Sequence, residues 1–223
     1  MAIREHMVKP AVFWTAVIGV KETMMISARN IQWIVVMALA WFGTASALFA
    51  GEPLEVIKVS ADRAIQILKD PQLQANEKKK ERIERLKEIA NPLFDFEEMA
   101  RRSLGPHWRR RSPLEQKEFV KLFRDSIERT YSNNVDLYAG ERIVTGKEII
   151  DNDYAQVDSS FINPKGEEFS VVFRLRRAEG KWKVYDAVVE NISIVNNYRS
   201  QFDRVISKSS FEELIRLLKE KAG

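Results

Sequence analysis

The spacing of apolar residues changes twice along the chain. Up to Gly140 they recur every three or four positions, from there to about Ser193 they alternate, and after Ser193 the helical spacing returns. Ile57, Ala61, Ala64, Ile65 and Leu68 predict a helix over 53–69, ended by Asp70-Pro71. A second helix over 77–90 is dense in charge, with Ile83, Leu86 and Ile89 as its one apolar edge, and Asn91-Pro92 is expected to break it. Asp95 can cap a short helix that turns Phe96, Met99, Ala100 and Leu104 inward and stops at Gly105. Ser112-Pro113-Leu114-Glu115 is a capping box with proline at the first helical position. It opens a helix predicted to reach about Ala139, whose stripe is Phe119, Phe123, Ile127, Tyr131, Val135 and Tyr138.

Four strands are predicted over 142–150, 154–162, 167–177 and 181–189. The short connections Asp151-Asn152-Asp153, Asn163-Pro164-Lys165-Gly166 and Ala178-Glu179-Gly180 are built of turn formers, so the strands should form an antiparallel meander. In the third strand Phe169, Val171, Phe173 and Leu175 take one face. The fourth is apolar on both, with Trp182, Val184 and Val188 expected on one side and Tyr185, Ala187 and Val189 on the other. It feeds a helix over 193–207 carrying Ile194, Tyr198 and Phe202. A last helix, capped by Ser209-Ser210, should turn Leu214, Leu217 and Leu218 inward. The expected fold is α+β: a twisted four-stranded antiparallel meander wrapped by helices, with an apolar pocket between sheet and helices.

One stretch lies apart from this pattern. Residues 31–42 are almost wholly apolar, Arg29 precedes them, and Gly43-Thr44-Ala45-Ser46-Ala47 follows. A positive residue, an apolar core and a small-x-small site make a secretory signal peptide, with cleavage expected after Ala47. The rival is an uncleaved anchor, since residues 31–50 are just long enough to span a bilayer. Met24 or Met25 would begin a signal peptide of ordinary length. The expected organisation is therefore a leader over 1–47 and a single exported domain over 48–223.

Charge and chemistry narrow the function. Lys and Arg number 36 against 32 Asp and Glu, interspersed, a net charge of +4 that does not describe a nucleic-acid protein. With no cysteine, disulfides, thiolate nucleophiles and zinc fingers are excluded. After the leader the only histidine is His107, near Ser103, and nothing in the sequence supplies the orienting group or oxyanion site that a Ser–His pair needs. No acidic cluster has metal-ligand spacing, and no glycine-rich phosphate loop is present. The Arg109-Arg110-Arg111 triplet reads as a solvated turn. No enzyme, metal or cofactor is expected.

Phe94-Asp95-Phe96, Met99-Ala100-Arg101, Leu104-Gly105, Trp108-Arg109 and Ser112-Pro113 occur in an order that resembles the MlaC family of periplasmic phospholipid-binding proteins. Phe119, Phe123, Arg129-Thr130-Tyr131, Trp182-Lys183-Val184-Tyr185-Asp186 and Asn197-Tyr198-Arg199-Ser200-Gln201-Phe202 continue the resemblance, which covers nearly all of the domain. It implies a soluble carrier that moves phospholipid, as cargo rather than cofactor, between an inner-membrane ABC transporter with an MCE-domain subunit and an outer-membrane lipoprotein–porin complex.

The aromatic excess suggests where the acyl chains would lie. Phe119, Phe123, Ile127 and Tyr131 are expected to face Phe169, Val171, Phe173, Val184 and Val188 across a cavity, with Tyr198 and Phe202 closing one end. The carrier is expected to be a monomer. Its rivals are a pocket enzyme on a cone-like α+β fold using Asp186, Tyr185 or Tyr131, an interaction module with a filled core, and a lipoprotein carrier.

Overall fold

The computed structural model describes residues 52–222, so the apolar run at 31–42 and the cleavage expected after Ala47 lie outside them. Helix α1 (Glu52–Lys69) ends at Asp70, whose carboxylate accepts from the Gln72 amide at 2.9 Å and opens a 3-10 turn. Helix α2 (Lys79–Leu93) runs through Pro92, past the expected break. A proline in the last turn removes one amide donor but leaves the chain free to exit directly after it. The Phe94 amide then closes the turn on the Ala90 carbonyl at 2.9 Å.

Helix α3 (Phe96–Leu104) begins where Asp95 accepts from the Glu98 amide at 3.0 Å and ends at Gly105, with φ of 57°. The predicted capping box opens α4 (Pro113–Asn134), with Glu115 and Ser112 bonded reciprocally. α4 gives way to a 3-10 turn, Val135–Leu137, short of the expected Ala139.

The sheet comprises β1 (Arg142–Asp151), β2 (Tyr154–Ile162), β3 (Glu168–Ala178), β4 (Lys181–Val189) and β5 (Ile192–Ser193), all antiparallel and in chain order. The expectation of four strands is thereby corrected. Glu190 and Asn191, at φ of 47° and 66°, make a two-residue turn that folds β4 back on β5, a strand too short to carry a period of its own. Helix α5 (Ile194–Lys208) comes at once, capped by Ser193, and α6 (Phe211–Ala222) completes the described chain. In α6 the buried stripe is Phe211, Leu214, Ile215 and Leu218, at i, i+3, i+4 and i+7. Leu217, expected inside, falls beside the stripe and is exposed.

A bulge between β3 and β4 corrects the assignment of faces. Arg174 pairs with Asp186 and Leu175 with Val184, which leaves Tyr185 as an extra, unpaired residue. Because side chains alternate, one extra residue inverts the parity of the strand beyond it. Trp182 and Val184 therefore share a face with Ala187 and Val189, whereas Val188 points to the opposite face with Val172 and Arg174. The inner face carries Ile143, Phe161, Phe169, Val171, Phe173, Ala155, Val157 and Leu175. α1 covers its end nearest the β1–β2 turn, where Ile57 packs among Ala155, Val157, Leu175, Trp182 and Val184.

A second apolar cluster is wholly helical and joins α3, α4, α5 and α6 around Phe119, Phe123, Phe202 and Phe211. It is tied to the sheet along the edge of β4, where the Asp95 amide donates to the Val184 carbonyl at 2.8 Å.

Candidate functional site

The aromatic residues of α4 and α5 are brought together by the structure, but with one another. Phe119 and Phe123 have no exposed surface, and their rings lie 6.1 Å apart. Phe119 meets Phe202 edge-on at 5.6 Å, Phe123 meets Tyr198 edge-on at 5.3 Å, and Tyr198 and Phe202 lie 5.4 Å apart. Ile127 is buried in the same group. The expected alignment of this stripe against the sheet is not how the described side chains associate: the stripe fills an inter-helical core, while Val184 and Phe173 belong to the sheet–α1 cluster. Helical periodicity shows that these residues face inward; it does not show which element they face. The Tyr131 side chain lies outside the described set.

The other sequence-predicted residues divide by sheet face. Phe169, Val171, Phe173 and Val184 lie on the inner face, and Val188, through the bulge, does not. Cross-strand pairing sets Ile143 opposite Phe161 and Phe161 opposite Phe169, a row of half-buried apolar side chains beyond the part covered by α1. Ile143 and Phe161 were not among the expected lipid contacts. Alternation alone turned Phe161 inward, but only the register places it beside Phe169.

The strand–helix corner is held by one buried carboxylate. Asp186, 3 % exposed, accepts from the Ser193 hydroxyl at 2.7 Å, from the Val195 amide at 3.1 Å and from the Arg174 guanidinium at 3.2 Å. The amide belongs to the first turn of α5, so the carboxylate both orients the helix and meets the positive end of its dipole. With these three donors around it, Asp186 serves as a structural clamp. Its neighbour Tyr185 lies under the Arg102 guanidinium, 4.1 Å from the ring centre, and burial pushes its phenol up. Burial does the same to the Tyr198 phenol within the helical core.

The remaining chemical candidates have structural partners. Ser103 donates to the Ala100 carbonyl at 2.9 Å, and His107 Nε2 lies 2.9 Å from Asp203 Oδ1, so serine and histidine do not pair. Arg111 lies over the Phe211 ring at 4.6 Å, whereas Arg109 and Arg110 are exposed. Among the described residues no group of three or more His, Asp or Glu side chains is arranged to hold a metal ion. Beside the corner an open groove of about 380 Å³ runs between Arg174, Val188, Asn191, Ile192, Asn196 and Ser200. Val188 and Ile192 are the apolar residues of its lining, and the rest is asparagine, serine and Arg174.

Among the described residues no helix is long and apolar enough to cross a membrane. The chain is 23 % identical over 205 residues to the intermembrane phospholipid transport system binding protein MlaC of Haemophilus influenzae, covering 86 % of this chain and 94 % of that one. Its fold matches that of a phospholipid-binding protein from Ralstonia solanacearum, solved in complex with a phospholipid, with a TM-score of 0.67 and 22 % identity over 77 % of this chain and 97 % of that one. The family model described as MlaC protein matches residues 58–220, and the chain belongs to the MlaC family.

Proposed function

We propose that the protein is a periplasmic phospholipid carrier, exported by a cleaved leader, whose acyl-chain site adjoins the inner face of the sheet at Phe161, Phe169 and Phe173. The observation that carries the proposal is the half-buried apolar row Ile143–Phe161–Phe169, next to half-buried Phe173 and buried Val171. Membership of a family whose relatives include phospholipid-binding proteins supports it. At about 0.8 kcal/mol per methylene, exposing two acyl chains to water would cost on the order of 20 kcal/mol, so transit needs an apolar enclosure of matching area. Cargo is collected from, and delivered to, an inner-membrane ABC transporter bearing an MCE-domain subunit and an outer-membrane lipoprotein–porin complex.

The test is direct. Protein expressed with its leader and purified from the periplasm is extracted with organic solvent, and the extract is examined by mass spectrometry. Near-stoichiometric phospholipid is expected. Folded protein free of phospholipid refutes the proposal, and a co-purified acylated protein in its place would establish the lipoprotein carrier instead.

A further inference from the structure

The outer face of the sheet, opposite α1, carries an ordered surface that lies outside the proposed acyl-chain site. Ile149, Tyr154 and Val144 are 50 %, 48 % and 43 % exposed there, although all three lie within strands. Tyr154 meets Tyr185 edge-on at 6.0 Å across β3, and Arg102 covers the Tyr185 ring. Around this pair stand Arg174 and Arg176 from β3 and Arg101 from α3.

These arginines are fixed from below. Arg176 is bonded to Asp95 at 2.7 Å, Arg174 to Asp186 at 3.2 Å, and Arg101 and Arg102 to Glu98 at 2.6 Å. The three carboxylate side chains are only 8 %, 4 % and 5 % exposed, whereas the arginine side chains are 30–51 % exposed. Burial raises the Glu98 carboxyl, but hydrogen bonds from Arg101 and Arg102 outweigh it and hold the group ionised. Each guanidinium is thus clasped to a buried acid while its side chain stays partly exposed. Lys183, beside Arg176 in the register, adds a further positive charge. Asp151 and Asp158 are the acids that β1 and β2 place on this part of the face, and the Gln156 amide already donates to Asp158 at 2.9 Å.

We propose that this surface docks a protein partner that presents carboxylates around an apolar centre. Immobilised arginines and tyrosines lose little side-chain entropy on binding, and they are the residue types that dominate protein interfaces. Their buried acids cancel much of the long-range field, and the whole chain carries a net charge of only +4. The surface therefore suits short-range, directional pairing with a protein better than attraction to an anionic bilayer. This rests on the carrier proposal, since a carrier must dock to load and unload. It also puts the docking face on the side of the sheet opposite the proposed acyl chains.

The test combines Ile149→Ser, Tyr154→Ala and Lys183→Glu, none of which holds a buried carboxylate. The probes are the purified soluble portion of the MCE-domain subunit and, separately, phosphatidylglycerol vesicles. Wild-type protein is expected to bind the subunit, more weakly as salt rises, and the triple variant at least tenfold less tightly, with unchanged co-purified phospholipid and unfolding midpoint. Equal affinity of the variant, or no binding of lipid-bearing wild type to the subunit, overturns the proposal. So does vesicle binding in place of subunit binding, or a wild-type dimer that the variant abolishes. Absence of phospholipid from the wild type would instead count against the carrier proposal, and the two failures are read separately.

Discussion

Truncating Phe123 to alanine separates a packed aromatic core from a lipid-lining one. The ring has no exposed surface and lies against Phe119, Tyr198 and Phe202 at centroid distances of 6.1, 5.3 and 6.1 Å. Removing a buried phenyl ring costs about 3–5 kcal/mol, from lost transfer energy and the cavity left behind. Loss of three aromatic neighbours places the expected value toward the upper part of that range. For a domain of this size about 4 kcal/mol lowers the melting midpoint by roughly 8–16 °C. Phe173, half-buried on the inner face, should behave differently: Phe173→Ala costs roughly 1–2 kcal/mol because it removes less buried area. Urea unfolding monitored by tryptophan fluorescence supplies the energies, and quantified co-purified phospholipid supplies the functional readout. Phe123→Ala should lose stability and retain lipid in its folded fraction; Phe173→Ala should retain most stability and lose lipid. If Phe123→Ala costs under about 1 kcal/mol, or the lipid losses are reversed, the division between helical core and sheet-side site is wrong.

The same geometry sets four further outcomes. Phe173→Glu should leave a folded monomer by size-exclusion chromatography and impair lipid retention; lipid equal to wild type would remove Phe173 from the site. Asp186→Ala strands the buried Ser193 hydroxyl and the Val195 amide and should cost about 2–5 kcal/mol, with Asp186→Asn costing less because one acceptor oxygen remains; circular-dichroism melts check the order. Ser112→Ala removes the capping box of α4 and should cost about 1 kcal/mol in urea unfolding. Tyr198 has a folded-state pKa raised by burial, so its stabilising contribution is complete below its unfolded value near pH 10 and is lost as pH rises through the folded value. In Tyr198→Phe the alkaline fall in unfolding free energy should be shallower, and an unchanged slope would contradict the burial.

Much of the fold is local physics, and that part was legible in the chain. The caps at Asp95 and Ser112 depend on side chains reaching amides within three residues, so composition at those positions suffices. The buried stripe of α4 and the meander of β1 to β4 arise from periods of 3.6 and 2 set by the backbone itself. The turn at Glu190-Asn191 was harder to read, because its effect is to create a strand of only two residues.

The candidate site depended on longer-range choices. Which partner the Phe119–Phe123 stripe meets is a matter of helix packing among α3, α5 and α6, to which periodicity is blind. Tyr185 bulges only because β3 and β4 pair as they do, and that single residue sends Val188 to the outer face while Val184 stays inside. The sequence by itself determined, for most elements, which face leaves water and where the helices and the four long strands begin. Only the tertiary structure decided which buried surfaces meet and which side of the sheet each apolar residue serves, because pairing register and helix packing depend on segments far apart in the chain.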